Sequence, residues 1–219
     1  MILLSPSKEM SKEAIFSEKI PVFQKEAEIL MPKIKEKKKY EAWSLYHGLA
    51  FRFLKKGGFS QKELEFMEKN LCIFSALYGV LSARDGISEY RLDFSQKGLY
   101  AYWGDKIYQE VLKRCHSVGE WIINLASDEF SKTLSKYLSE KDRFLQIDFL
   151  EEKEGEFKKH STISKKGRGA MARYLILSQD TSLERIRRFQ EDDFQFREDL
   201  STERHFVFVK QSQSYSAEK

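Results

Sequence analysis

The chain has 219 residues, of which 41% are hydrophobic, 33% charged and 14% aromatic, with 11 glycines and 3 prolines. That composition excludes disordered, collagen-like and linker sequence, and the length suffices for one domain burying roughly 70% of its unfolded surface. Lys and Arg number 38 against 34 Asp and Glu, and the net charge of +4 is too small a surplus to announce a nucleic-acid partner by itself.

Ile2-Leu3-Leu4 predicts a buried strand, stopped by Ser5-Pro6 because proline cannot donate to a ladder. It delivers Ser5 to Lys8 at its C-terminal end. From Ser11 to Phe53 the pattern predicts helix, with an exposed basic stretch from Lys33 to Lys39 that carries no functional weight. Ser60-Gln61-Lys62-Glu63 is a capping box, and the helix behind it buries Leu64, Met67 and Leu71. Cys72 to Tyr78 predicts a buried strand ended by Gly79. After a polar turn at Arg84-Asp85-Gly86, a loop runs through Tyr90 and Arg91 to Tyr102.

Trp103, Ile107, Val111 and Cys115 stand four apart and form a helix stripe. Trp121 to Leu125 predicts a strand, and Asp128 a cap for the helix carrying Phe130, Leu134, Tyr137 and Leu138. Phe144 to Phe149 and Glu156 to Ile163 predict a hairpin turned at Glu154-Gly155. Lys165 to Leu177 is helical, Thr181-Ser182-Leu183-Glu184 is a second capping box, and His205 to Val209 alternates as a final strand. No repeat or linker divides the chain. The expected fold is mixed α/β (α+β): a single domain over residues 1–219, with a central mixed sheet and helices around it.

Several chemistries find little support. Ser5-Pro6-Ser7-Lys8 matches a Ser-x-x-Lys nucleophile pattern, but its strand-end context differs and neither Ser-Asp-Asn nor Lys-Thr-Gly occurs. Lys8 is instead a candidate for holding an anion, since ligands favour the carboxyl ends of strands in α/β sheets. His47, His116, His160 and His205 are scattered, and no HExxH, paired CxxC or EF-hand loop accompanies them. Glu203-Arg204-His205 offers two ligands of a facial triad at most. No metal site and no cofactor is expected, and no standard phosphate loop is present. Met1 to Leu4 leads into Ser5-Pro6 without a signal-peptide pattern, and no apolar run approaches the ~20 residues that span a bilayer. With Cys72 and Cys115 isolated, a cytoplasmic location without membrane contact is expected.

One segment departs from the balanced charge. From Lys158 to Arg173 stand Lys158, Lys159, Lys165, Lys166, Arg168 and Arg173, with His160 and no acid. At ~100° per residue, Lys166, Gly169, Ala170 and Arg173 share a stripe, while Arg168 falls nearer the apolar side with Met171 and Leu175. Gly167 and Gly169 each cost ~1 kcal/mol in a helix, which favours close approach of a phosphodiester or a helix N-terminus. The bland alternative is that the lysines are solvated and Arg168 pairs with a core carboxylate. Tyr90-Arg91 through Tyr100, Tyr102 and Trp103 is a second group, with aromatics beside cations as base stacking requires; for Trp103 alone a core position is the simpler fate. Asn124, Ser127, Asp128 and Glu129 form a third, in which Glu129 is a weak candidate for a general base.

Six ordered blocks carry a resemblance: Ser5 to Lys8, Ser75 to Leu81, Tyr90 to Leu92, Tyr102 to Lys106, Asn124 to Glu129, and Lys165 to Arg173. Together they resemble the YaaA peroxide-stress protein family over nearly the whole chain. The resemblance implies a cytoplasmic protein of the bacterial hydrogen-peroxide response that limits free iron and oxidative DNA damage. It also implies an unusual mixed α/β fold with a basic cleft, and DNA binding through a helix–hairpin–helix-like element, for which Tyr78-Gly79-Val80 is the candidate hairpin. The expected partner is DNA, double-stranded or distorted, and no protein partner is identifiable. Lys8, Arg91, Lys165, Lys166, Arg168 and Arg173 are expected to hold phosphate. Ser5, Tyr78, Tyr102, Trp103, Asn124 and Ser127 are expected to line the cleft. The alternative is an enzyme acting on a nucleobase or nucleotide in damaged DNA, with the same cations on phosphate and Glu129 acting on water.

Overall fold

The computed structural model describes residues 1–115 and 120–211; His116 falls outside these described residues. In chain order the elements are β1 (Ile2–Leu4), α1 (Gln24–Leu30), β2 (Tyr40–Glu41), α2 (Ala42–Leu45), α3 (Leu49–Leu54) and α4 (Gln61–Asn70). There follow β3 (Leu71–Ser75), β4 (Gly79–Ser82), β5 (Gly86–Ile87), α5 (Leu99–Trp103), α6 (Lys106–Arg114), β6 (Ile122–Leu125) and α7 (Asp128–Ser135). The last are β7 (Phe144–Lys153), β8 (Glu156–Lys158), α8 (Ser161–Ser178), α9 (Leu183–Arg187), β9 (Phe194–Phe196) and β10 (His205–Gln211). Among the described residues no helix is long and apolar enough to cross a membrane.

Eight strands form one mixed sheet in the order β4-β3-β1-β6-β7-β10-β9, with β8 pairing antiparallel to β7. Its five central strands, β3, β1, β6, β7 and β10, are mutually parallel, and β4 and β9 add antiparallel edges. Counted along the chain, the parallel strands stand in the order 2-1-3-4-5, as in a doubly wound sheet. Both faces are covered. Ile2, Leu4, Ile73, Ile123, Leu125, Ile147 and Phe149 face a core shared with α3, α4 and α8. Met1, Leu3, Cys72, Phe74 and Ile122 face another, shared with α5, α6 and α7. Burial on both faces explains why β1, β3 and β6 are apolar almost throughout instead of alternating.

The Ser60 capping box forms as its residues require: Glu63 N–H donates to Ser60 Oγ at 3.5 Å, and Ser60 N–H to Glu63 Oε2 at 2.6 Å. The Glu154-Gly155 turn also forms, with φ of 55° and 79° as a two-residue hairpin demands. Between Ser11 and Phe53, however, the expected helix is divided into the short α1, α2 and α3 with loops between them. Prolines 21 and 32 break the helical periodicity, and the backbone pairs across sequence instead: Ser11 N–H with Leu45 O at 2.7 Å, Glu41 N–H with Ile15 O at 2.8 Å. The Trp103 stripe is divided by Gly104, at φ 50°, into α5 and α6, though Trp103, Ile107 and Val111 still share one core.

The predicted strand to Tyr78 ends at Ser75 and turns through Ala76, Leu77 and Tyr78 into β4, with Ser75 opposite Gly79. Tyr78-Gly79-Val80 therefore belongs to a β-hairpin, because the fully buried β3 pairs with β1. Two caps also shift. Ser127, not Asp128, is the N-cap of α7, and Ser182 rather than Thr181 caps α9, accepting from Arg185 N–H at 3.2 Å.

Candidate phosphate-binding cleft

Strand order reverses between β1 and β6, and ligands of doubly wound sheets bind beyond the carboxyl ends of the strands at such a switch point. Here the two strand ends are joined directly. Ser127 N–H donates to Ser5 Oγ at 2.8 Å, and the two hydroxyls stand 3.2 Å apart. Two residues on, Ser7 Oγ accepts from Gly48 N–H at 2.8 Å and from Glu9 N–H at 3.1 Å. A side chain at position 48 would collide with this hydroxyl, since an added Cβ falls 2.3 Å from Ser7 Oγ. That contact holds the start of α3 against the β1 loop.

A third wall comes from the segment 90–93. Tyr90 is fixed by hydroxyl contacts to Ser75 Oγ at 2.7 Å and Tyr46 Oη at 2.8 Å, and burial pushes its phenol up to about 12. Glu129, in the first turn of α7, accepts from Phe94 N–H at 3.1 Å and ties that wall to the β6 end. The fourth wall is α8, which contributes Thr162, Lys165 and Arg168 at three-residue spacing. These walls enclose a cavity of about 470 Å³, within the range that holds one small-molecule ligand.

The cavity is electrostatically lopsided. Five cations line it (Lys8, Arg52, Arg91, Lys165 and Arg168) against three carboxylates (Glu9, Asp93 and Glu129). Lys8 pairs with Asp93 at 2.6 Å, and this bond, with a second from Ser95, holds the Asp93 carboxyl down at about 2. Arg52 reaches Glu9 at 3.4 Å, a loose exposed pair. Arg91, Lys165 and Arg168 have no carboxylate at ion-pair distance among the described residues. Arg168 is the unusual one: it is only 8% exposed, and its Nε has no hydrogen-bond partner. Burial pulls its guanidinium below the ordinary value, with Asp148 and Asp128 acting on it only through space.

The structure separates the sequence-expected residues. Ser5, Lys8, Arg91, Ser127, Glu129, Lys165 and Arg168 share the cavity. Lys166 and Arg173 do not line it. Lys166 lies over the Phe53 ring at 5.8 Å, and Arg173 stacks on Phe59 at 5.2 Å while donating to Gly58 O at 3.0 Å. The stripe they share with Gly169 packs on α3, so the glycines admit protein rather than a phosphodiester. An added Cβ would fall 2.1 Å from Ala50 O at Gly169 and 2.2 Å from the Phe149 ring at Gly167. Lys158 and Lys159 are neutralised from outside their segment by Glu156 and Asp148 at 2.7 and 2.8 Å.

Tyr78, Tyr102, Trp103 and Asn124 also lie outside the cavity. Tyr78 packs behind Tyr90, and its hydroxyl accepts from Ser88 N–H at 3.3 Å. Tyr102 donates to Glu26 O at 3.1 Å, and fully buried Trp103 donates from Nε1 to Ala76 O at 2.9 Å. Asn124 is buried in β6 and donates to Gln146 Oε1 at 2.6 Å. Sequence reasoning missed Arg52, Glu9, Asp93 and Thr162. Arg52 stood inside an apparent long helix that concealed it. Thr162 fell in the segment predicted as strand to Ile163, which concealed its helical spacing of three and six residues from Lys165 and Arg168. His205 Nε2 meets Asp148 Oδ2 at 3.2 Å, and among the described residues no group of three His, Cys, Asp or Glu is arranged to hold a metal.

A family model described as "Peroxide stress protein YaaA" matches residues 33–200, most of the chain. The chain belongs to this family. A "UPF0246 protein" of Ligilactobacillus salivarius is 30% identical over 248 aligned positions, covering 95% of this chain and 99% of its own. One of Fusobacterium nucleatum is 32% identical, covering 96% and 99%. A third, from Limosilactobacillus fermentum, reaches 38% identity over 75% of this chain and 68% of its own. In this YaaA-family chain, α3, the 90–93 wall, α7 and α8 fall inside the matched residues, whereas Ser5 to Lys8 precede them.

Proposed function

We propose that this YaaA-family protein acts in the cytoplasm as a DNA-binding protein of the peroxide response, holding phosphate in the cleft between β1, β6 and α8 and thereby limiting iron-linked oxidative damage. The observation that carries the reading is the charge of the cavity: three cations without carboxylate partners among the described residues converge where an α/β sheet places its ligands. Phosphate contacts of this kind give affinity without sequence preference and make it strongly salt-dependent. The effect on iron is indirect in this reading, through the DNA that the protein covers.

Fluorescence-anisotropy titration of labelled duplex and gapped DNA across a salt series tests it. Binding should weaken steeply with salt and be similar for unrelated sequences. Affinity that is absent at low salt, or indifferent to salt, would overturn the proposal. A second reading, an enzyme acting on a nucleotide unit of damaged DNA, is favoured by one observation: Glu129 lines the same cavity as the cations. In it the cations hold phosphate and Glu129 activates water. Release of base or phosphate from damaged oligonucleotides, abolished in Glu129→Gln, would establish it.

A further inference from the structure

Arg168 is buried on the cavity wall, only 8% exposed, with its Nε unpartnered. Leaving a guanidinium in that state is costly unless something supplies acceptors, and a phosphate matches its fork of donors bidentately. Mid-strand phosphate is a poor fit. A phosphodiester continues into sugar on both sides, and both continuations would have to enter a cavity of about 470 Å³ to bring it to a residue so deeply set. A phosphate at a chain end has one continuation and can point inward.

Charge argues the same way. Asp93 and Glu9 are each taken by one cation, and the five cations exceed the three carboxylates by two. A phosphomonoester carries nearly two negative charges at neutral pH, with a second pKa near ~6, whereas a diester carries one.

We infer that the cleft recognises a phosphomonoester, the terminal phosphate of a nucleotide, with Arg168 as its buried anchor and Lys165 and Arg91 at its mouth. This deepens the DNA-binding reading above and rests on it where the terminal phosphate belongs to a DNA end or nick. A free nucleoside monophosphate offers the same chemistry.

The test compares four probes on the full chain: a short duplex with phosphorylated ends, the same duplex with hydroxyl ends, a covalently closed circular duplex, and deoxyadenosine monophosphate. Phosphorylated ends should bind about tenfold tighter than hydroxyl ends, the value of one added charge-assisted bidentate contact. The advantage should vanish in Arg168→Gln and shrink below about pH 6, where the monoester loses its second charge. Lys165→Ala and Arg91→Ala, both at exposed positions, should each reduce it without unfolding the chain.

Equal affinity for all three duplexes would overturn this inference and leave DNA binding standing. Binding of the monophosphate alone, lost in Arg168→Gln, would sustain the phosphomonoester site and overturn the DNA reading. Failure of all four probes would overturn both.

Discussion

Arg168 holds the clearest conflict between stability and ligand binding. It is enclosed by protein, meets no carboxylate at bonding distance among the described residues, and is compensated only through space by Asp148 and Asp128. Burying a charge without a bonded partner is costly, and an apolar side chain of similar length removes that cost. Arg168→Met should therefore raise the melting temperature by a few degrees while abolishing binding of phosphorylated DNA ends. Calorimetry beside a binding titration checks both halves; a lower melting temperature would mark Arg168 as a structural residue. The two thiols give a second expectation at this scale. Burial pushes Cys72 up, and burial with Glu120 nearby pushes Cys115 to about 11. Only on the order of 0.1% of Cys115 is then thiolate at pH 8, against roughly a quarter of an ordinary cysteine. Intact protein treated with hydrogen peroxide should retain both thiols by mass spectrometry, so the peroxide response of this protein should not run through cysteine oxidation. Rapid sulfenic acid formation at either position would contradict that.

Helix α8 is the element on which the account turns, because it presents different residues to the cleft and to its neighbours. Gly167 meets the Phe149 ring and Gly169 meets the α3 backbone, so Gly167→Ala and Gly169→Ala should each destabilise by about 1–3 kcal/mol through overpacking. Had that face been open to phosphate, alanine would have stabilised the helix by ~1 kcal/mol. Chemical denaturation of the two variants decides the sign. Much of this element was legible in the sequence. Its basic content and helical period were visible, as were the Ser60 cap, the Glu154-Gly155 turn and the buried strands, but its start was not: the helix begins at Ser161, inside the segment that alternation predicts as strand to Ile163. Which stripe of α8 faces the cleft was not legible, because periodicity gives the angles between residues and not the identity of the packing partner. A small-residue stripe between two cations reads equally as a phosphate track or as a seam for another helix. The Ser11 to Phe53 region failed for a related reason. Its exposed Ile15, Phe16 and Ile20, at 50%, 61% and 70% accessibility, imitate a helical face while belonging to a loop.

For the whole molecule, the net charge of +4 conveys little beside its arrangement. Most of the basic segment is spent on structure: Lys158 and Lys159 are paired, Lys166 lies on an aromatic ring, and Arg173 ties α8 to the loop before α4. What remains, Lys165 and Arg168, joins Lys8, Arg52 and Arg91 from three distant parts of the chain. The 2-1-3-4-5 strand order brings these together by setting the ends of β1 and β6 side by side. The central claim is therefore that this cavity, and not the basic segment as such, holds phosphate. The salt dependence of DNA affinity, measured for the wild type, for the double variant Lys165→Ala/Arg168→Gln and for Lys166→Ala, tests it most directly. Each lost phosphate contact lowers the slope by about 0.9 on duplex DNA. The double variant should lose about two such contacts, while Lys166→Ala keeps both affinity and slope. A full slope in the double variant together with a reduced one in Lys166→Ala would contradict the claim.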